Sequence, residues 1–216
     1  MHTRFIPNGT RTLLVYFAGW GTPFSAVGHL RPPENASLLL CGSYRSLKLD
    51  FDFGAYREIR MVAWSMGVWV AERAMQGVPL VSATAVNGTP MPKHDRFGIP
   101  AAVFEATLEH LDDAGRLKFE QRMCGGKAGW ERYRALDGHR TLPEIRDELA
   151  FLNDAVSQDE RSGLIRWTHA FTGSRDRIFS AENQTAYWQN RCPQTVVGGG
   201  SHNLFPHWGA WAELWP

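Results

Sequence analysis

Four stretches of this chain are too short for ordinary helices and too apolar for half-exposed strands. They are Thr12–Phe17 (TLLVYF), Ser37–Cys41 (SLLLC), Ile59–Trp64 (IRMVAW) and Val81–Val86 (VSATAV). A strand that is apolar on both faces belongs inside a sheet covered by helices on both sides, and such sheets are mostly parallel. Two later runs continue the series, Arg166–Phe171 (RWTHAF) and Thr195–Val197. Helical stretches lie between and after them: Ser65–Gln76, stopped by Gly77 and Pro79; Ala181–Asn190; and Asn203–Trp215, interrupted near Pro206. Buried strands alternating with helices predict an α/β fold, a mostly parallel sheet flanked by helices.

One segment breaks the rhythm. Residues 104–154 contain no strand-like run and read as three or four amphipathic helices joined by turns such as Cys124-Gly125-Gly126. An insertion of that size between two sheet strands reads as a helical cap, with the core formed by residues 1–103 and 155–216. Phe104, Leu108, Leu111, Phe119, Trp130 and Phe151 are its candidates for lining an apolar channel.

Charge is nearly balanced, 23 Lys and Arg against 22 Asp and Glu, for a net +1. That argues against nucleic acid or an anionic membrane surface as a general partner. Locally it is uneven. Between Ala114 and Arg140 stand Arg116, Lys118, Arg122, Lys127, Arg132, Arg134 and Arg140 against only Glu120, Glu131 and Asp137. No run approaches the ~20 apolar residues of a membrane helix. Met1–Pro7 lacks the apolar core of a signal peptide. Three scattered cysteines, Cys41, Cys124 and Cys192, show no metal-ligand spacing. They point to reduced thiols in a cytoplasmic protein with no metal.

The most informative residues are Ala63-Trp64-Ser65-Met66-Gly67, where a buried strand gives way to a helix. A sharp strand-to-helix turn with small residues two before and two after a serine lifts the hydroxyl clear of the sheet, as in the G-x-S-x-G elbow of α/β-hydrolases. A serine here is also a common helix N-cap. Three further loops follow strand ends. Gly19-Trp20-Gly21 can aim the Trp20 N–H at a reacting carbonyl oxygen, paired with the N–H of Met66, to form an oxyanion hole. Asp176, in Thr172-Gly173-Ser174-Arg175-Asp176, stands where a hydrolase acid belongs; a turn aspartate paired with Arg175 or Arg177 is the simpler alternative. His202, after Gly198-Gly199-Gly200-Ser201, can reach across the sheet to Ser65. Ser65, Asp176 and His202 thus fall in the chain order of α/β-hydrolases.

The pairing of Phe17-Ala18-Gly19-Trp20-Gly21 with Ala63-Trp64-Ser65-Met66-Gly67-Val68-Trp69 resembles the BioG-type pimeloyl-acyl-carrier-protein methyl ester esterases of biotin synthesis. Asn87-Gly88-Thr89-Pro90 and the terminal Gly-Ser-His-Asn-Leu-Phe also fit that family. The resemblance implies an α/β-hydrolase fold and a Ser65–His202–Asp176 triad. It further implies an oxyanion hole from Trp20 and Met66, no cofactor, and an acidic acyl-carrier protein as the substrate's carrier. The basic cap then offers Arg116, Arg122, Arg132 and Arg134 as carrier-binding residues. A broad-specificity carboxylesterase or thioesterase with the same triad remains the alternative.

Overall fold

Alternate residues from Leu13 to Ala18, the second strand and the residue after it, enter different cores. Leu13, Val15 and Phe17 pack into one buried cluster, and Leu14, Tyr16 and Ala18 into another. The sheet therefore has an apolar layer on each face, which is why its strands read as unbroken apolar runs. The computed structural model describes residues 1–215. In chain order the strands are β1 His2–Ile6, β2 Thr12–Phe17, β3 Ser37–Gly42, β4 Glu58–Trp64, β5 Ser82–Val86, β6 His169–Gly173 and β7 Gln194–Val197. The helices are α1 Met66–Ala74, α2 Ala101–Glu109, α3 Asp113–Met123, α4 Lys127–Arg134, α5 Leu142–Gln158 and α6 Ala181–Trp188.

These strands form one sheet in the order β1-β3-β2-β4-β5-β6-β7, parallel except for β1. Phe17 pairs with Ala63, Ala63 with Ala85, and Ala85 with Ala170. The carboxyl ends of the four central strands therefore lie at one level, the edge at which open α/β sheets place their ligands. This mostly parallel strand order with intervening helices is that of an α/β-hydrolase fold.

The structure departs from the sequence expectation at several points; besides the element ends, α2 begins before residue 104 and α5 runs past residue 154, so the expected insertion bounds fall inside helices. Strand β1 was not anticipated, because all five of its residues are exposed at the sheet edge and carry no burial pattern. The Arg166–Phe171 strand begins later, at His169, and runs on through Thr172 to Gly173. The expected helix over Asn203–Trp215 is instead two 3-10 turns, Phe205–His207 and Trp211–Leu214. Pro206 and Gly209 disfavour an α-helix there, and Phe205, Trp211 and Leu214 are buried by the turns.

Between β5 and β6 lie helices α2 to α5. A capping box between Thr141 and Glu144, with Pro143 in the first turn, starts α5. One face of α5, carrying Ile145, Leu149, Leu152 and Val156, packs into the same core as β2 and β4. This helix is therefore as much a wall of the sheet layer as it is part of the inserted segment.

Candidate active site

Ser65 sits in the turn from β4 into α1 with φ 58° and ψ −127°. That conformation is strained for any residue with a side chain. Two glycines make it possible. A Cβ on Gly67 would lie 2.5 Å from the Ala18 carbonyl oxygen and 2.6 Å from that of Phe17, and one on Gly88 would lie 2.6 Å from the Ser65 carbonyl oxygen. The Ser65 N–H donates to the Val86 carbonyl at 3.0 Å, anchoring the turn to the end of β5.

The structure brings the three expected side chains together. His202 Nε2 lies 2.9 Å from Ser65 Oγ, and His202 Nδ1 lies 2.8 Å from Asp176 Oδ2. With Nδ1 protonated and donating to the carboxylate, Nε2 is left to accept the serine proton. All three residues are buried. The Asp176 carboxylate is turned toward the imidazole by its other partners. Oδ1 accepts the N–H groups of Ile178 at 2.8 Å and Phe179 at 3.1 Å, and Oδ2 also accepts Gln184 Nε2 at 3.1 Å. Asp176 makes no ion pair with Arg175 or Arg177. The Phe179 ring lies parallel to the imidazole, 5.9 Å between centroids. Gln184 escaped the sequence reading; a fully buried glutamine on a short helix becomes informative only once its partner is known.

The loop after β2 faces the serine. The backbone N–H groups of Trp20 and Met66 have no acceptor among the described residues, and both residues line the cavity that contains Ser65 and His202. Helix α5 holds this loop at two points. Trp20 Nε1 donates to the Ile145 carbonyl at 2.7 Å, and the Gly21 N–H donates to Glu148 Oε2 at 3.1 Å. Fully buried Glu148 also accepts the Tyr44 N–H at 2.7 Å and is ion-paired with Arg140.

The cavity has an empty volume of about 620 Å³, its open mouth included. Its walls are mainly apolar, among them Trp20, Phe104, Phe119, Met123, Leu149 and Ile178, and two cations reach it, Arg122 and Arg177. Of the expected channel residues, Phe104 and Phe119 line it. Leu111 is in the core, and Trp130 instead donates to Glu120 at 3.0 Å. An adjoining groove shares Val103, Thr107, Phe119 and Arg122 with the cavity and adds Lys118.

The cap cations divide into two groups. Arg116 is turned inward, its side chain 13% exposed. Its Nε donates to buried Glu120 at 2.8 Å and its Nη1 to the Arg140 carbonyl at 3.0 Å. A carboxylate buried one helical turn away pulls that guanidinium inward, which the linear charge count could not show. Arg134 leans toward the same carboxylate at 3.5 Å with its side chain 39% exposed. Arg122 and Arg132 are exposed and form no ion pair among the described residues.

Residues 1–214 match the family described as Pimeloyl-ACP methyl esterase BioG. The chain belongs to that family. The crystal structure of BioG from Haemophilus influenzae superposes with a TM-score of 0.97 at 51% identity, covering 100% of both chains. An uncharacterised Haemophilus influenzae protein is 52% identical over 215 residues, 100% of this chain and 99% of that one. A Bacteroides fragilis malonyl-acyl-carrier-protein O-methyltransferase is 38% identical over 194 residues. That match takes in 88% of this chain but only 39% of the longer relative. Among more distant solved structures the likeness is one of fold alone. An esterase from Exiguobacterium antarcticum shares 12% identity at a TM-score of 0.63, covering 94% of this chain and 89% of that one. No described helix is long and apolar enough to cross a membrane.

Proposed function

We propose that this chain is a serine esterase that removes the methyl ester from a pimeloyl chain carried on acyl-carrier protein. The observation that carries the reading is the hydrogen-bonded run Ser65–His202–Asp176, opening into an apolar cavity in a chain of the BioG family. Ser65 Oγ attacks the ester carbonyl as His202 Nε2 takes its proton, and the N–H groups of Trp20 and Met66 receive the oxyanion. His202 then protonates the departing methanol. Water attacks the acyl-serine with His202 as base, releasing a free ω-carboxylate and restoring Ser65. Asp176 holds the imidazole tautomer and stabilises the imidazolium throughout.

Two features support the carrier. The apolar walls suit a saturated acyl chain, and exposed Lys118 and Arg122 line the groove that continues from the cavity. These cations, together with exposed Arg132 elsewhere on the same inserted segment, would attract an acidic carrier. One relative is named a malonyl-acyl-carrier-protein O-methyltransferase, so its name also places an acyl group on a carrier protein. The reaction proposed here would remove a methyl group where such a transferase adds one.

The test is hydrolysis of pimeloyl-carrier-protein methyl ester by the purified protein, beside Ser65→Ala and a nitrophenyl ester. Rapid turnover of the carrier substrate, abolished in Ser65→Ala, is the expected result. Turnover of the nitrophenyl ester alone would leave a broad carboxylesterase and remove the carrier from the proposal.

A further inference from the structure

His202 is gripped by its backbone as well as by its ring. Its carbonyl oxygen accepts two hydrogen bonds, one from Trp64 Nε1 at 3.0 Å and one from Asn87 Nδ2 at 2.8 Å. The same Asn87 amide donates to the Ser201 carbonyl at 2.8 Å, while its Oδ1 accepts the Gly173 N–H at 2.7 Å. Asn87 is fully buried at the end of β5, and its own N–H donates to Phe171 in β6 at 2.9 Å. One side chain thus joins the carboxyl end of the strand beside the serine turn, the end of the strand that precedes Asp176, and the loop that carries His202.

The backbone at Asn87 has φ 44°, a left-handed value that glycine, asparagine and aspartate adopt most readily. Glycine would leave the Ser201 carbonyl and the Gly173 N–H without these partners and the His202 carbonyl with Trp64 alone. Aspartate would keep an acceptor for Gly173 but turn a second oxygen toward two carbonyl oxygens. Only asparagine meets both the backbone and the hydrogen-bond requirement here. The His202 loop needs such a clamp. It follows three consecutive glycines, Gly198 to Gly200, which give the chain little conformational preference of its own.

We propose that Asn87 is a positioning residue: with Trp64 it fixes the His202 main chain so that the imidazole spans Ser65 and Asp176. The proposal rests on the reading of those three residues as the catalytic triad. It predicts that Asn87 acts through His202 and through nothing else in the reaction.

The test is a double-mutant cycle on a nitrophenyl ester, so that it does not depend on the carrier substrate. Asn87→Asp in the otherwise native protein should lower kcat about a hundredfold, as a misplacement near 1 Å does. KM should change less than about twofold, because the residue touches no substrate. In a His202→Ala background the same substitution should cause no further loss in the residual rate. Native kcat in Asn87→Asp, or an equal factor of loss in both backgrounds, would overturn the proposal. If Asn87→Asp fails to fold, Trp64→Phe removes the second donor to the same carbonyl and keeps an aromatic ring at that buried position. It should cost about fivefold in kcat, the worth of one hydrogen bond, and nothing in the His202→Ala background. Should His202→Ala itself keep native activity, the triad reading fails first, and the positioning role falls with it.

Discussion

The Glu148 carboxylate accepts the backbone N–H of Gly21 at 3.1 Å, linking the fifth helix to the loop after the second strand. The residue before Gly21 is the proposed oxyanion donor, Trp20. The segment between β5 and β6 therefore does more than cover the cavity, because one of its buried side chains sets the geometry of the loop beneath it. Glu148→Gln keeps the size and removes the charge that Arg140, Tyr44 and Gly21 share. We expect kcat to fall roughly tenfold to a hundredfold with little change in KM. Stability should fall by about 3 kcal/mol, since Arg140 is left without its partner. Steady-state kinetics and a denaturant titration check both; native kcat would show that the loop is held without Glu148.

Gly67 tolerates no side chain. A Cβ there would press on two backbone oxygens, not on a flexible side chain that could turn away. Gly67→Ala should destabilise the protein by about 3 kcal/mol or more, the upper end of the overpacking range. Thermal unfolding measures the loss, and a native Tm would mean that α1 can shift away from β2 at little cost.

The inward and outward cations of the cap should behave differently. Arg116→Ala should lower stability by about 2 kcal/mol by stripping a charged hydrogen bond from Glu120. It should leave the salt dependence of carrier-substrate turnover unchanged. Arg122→Ala combined with Arg132→Ala should do the reverse, raising KM for the carrier substrate far more than for a nitrophenyl ester and flattening its salt dependence. Kinetics at two ionic strengths separate the cases. Equal effects on both substrates would place the carrier elsewhere.

Asp159 joins the end of the fifth helix to Arg73 and Arg161 and should make the fold sensitive to acid. Its carboxylate is held well below the usual range, first by its hydrogen bond to the Arg161 side chain and further by the Arg161 N–H and the Arg73 guanidinium. A carboxyl group depressed in the folded state contributes stability above its unfolded value, near 3.9, and loses it as pH falls through the folded value. Native protein should therefore lose stability on acidification below about pH 4 more steeply than Asp159→Asn. Urea midpoints from pH 6 down to pH 3 test this, and parallel curves would remove Asp159 from the acid response.

The cysteines should be slow to react in the folded chain. Burial pushes the Cys41 and Cys124 thiols up to about 12 and the Cys192 thiol to about 11. At pH 8 almost none of each is thiolate, the reactive form. A thiol-reactive dye should label the native protein slowly and all three thiols quickly in denaturant. Rapid labelling of one site in the native state would point to local opening there.

The sequence by itself determined the sheet and the order of the three central residues. Strands buried on both faces must be apolar at every position, so TLLVYF and SLLLC announce themselves; an edge strand such as HTRFI has no such requirement and stays hidden. Ser65, Asp176 and His202 were legible because each follows a strand end, and strand ends in a parallel sheet share one edge. Tertiary structure decided what holds them. Asn87, Gln184 and Glu148 are polar side chains whose work depends on partners 114, 8 and 127 residues away in the chain. It also decided the direction of each cap cation, because a guanidinium goes to the carboxylate it can reach in space. Periodicity and spacing record which face of an element is buried; they do not record which buried polar group meets which.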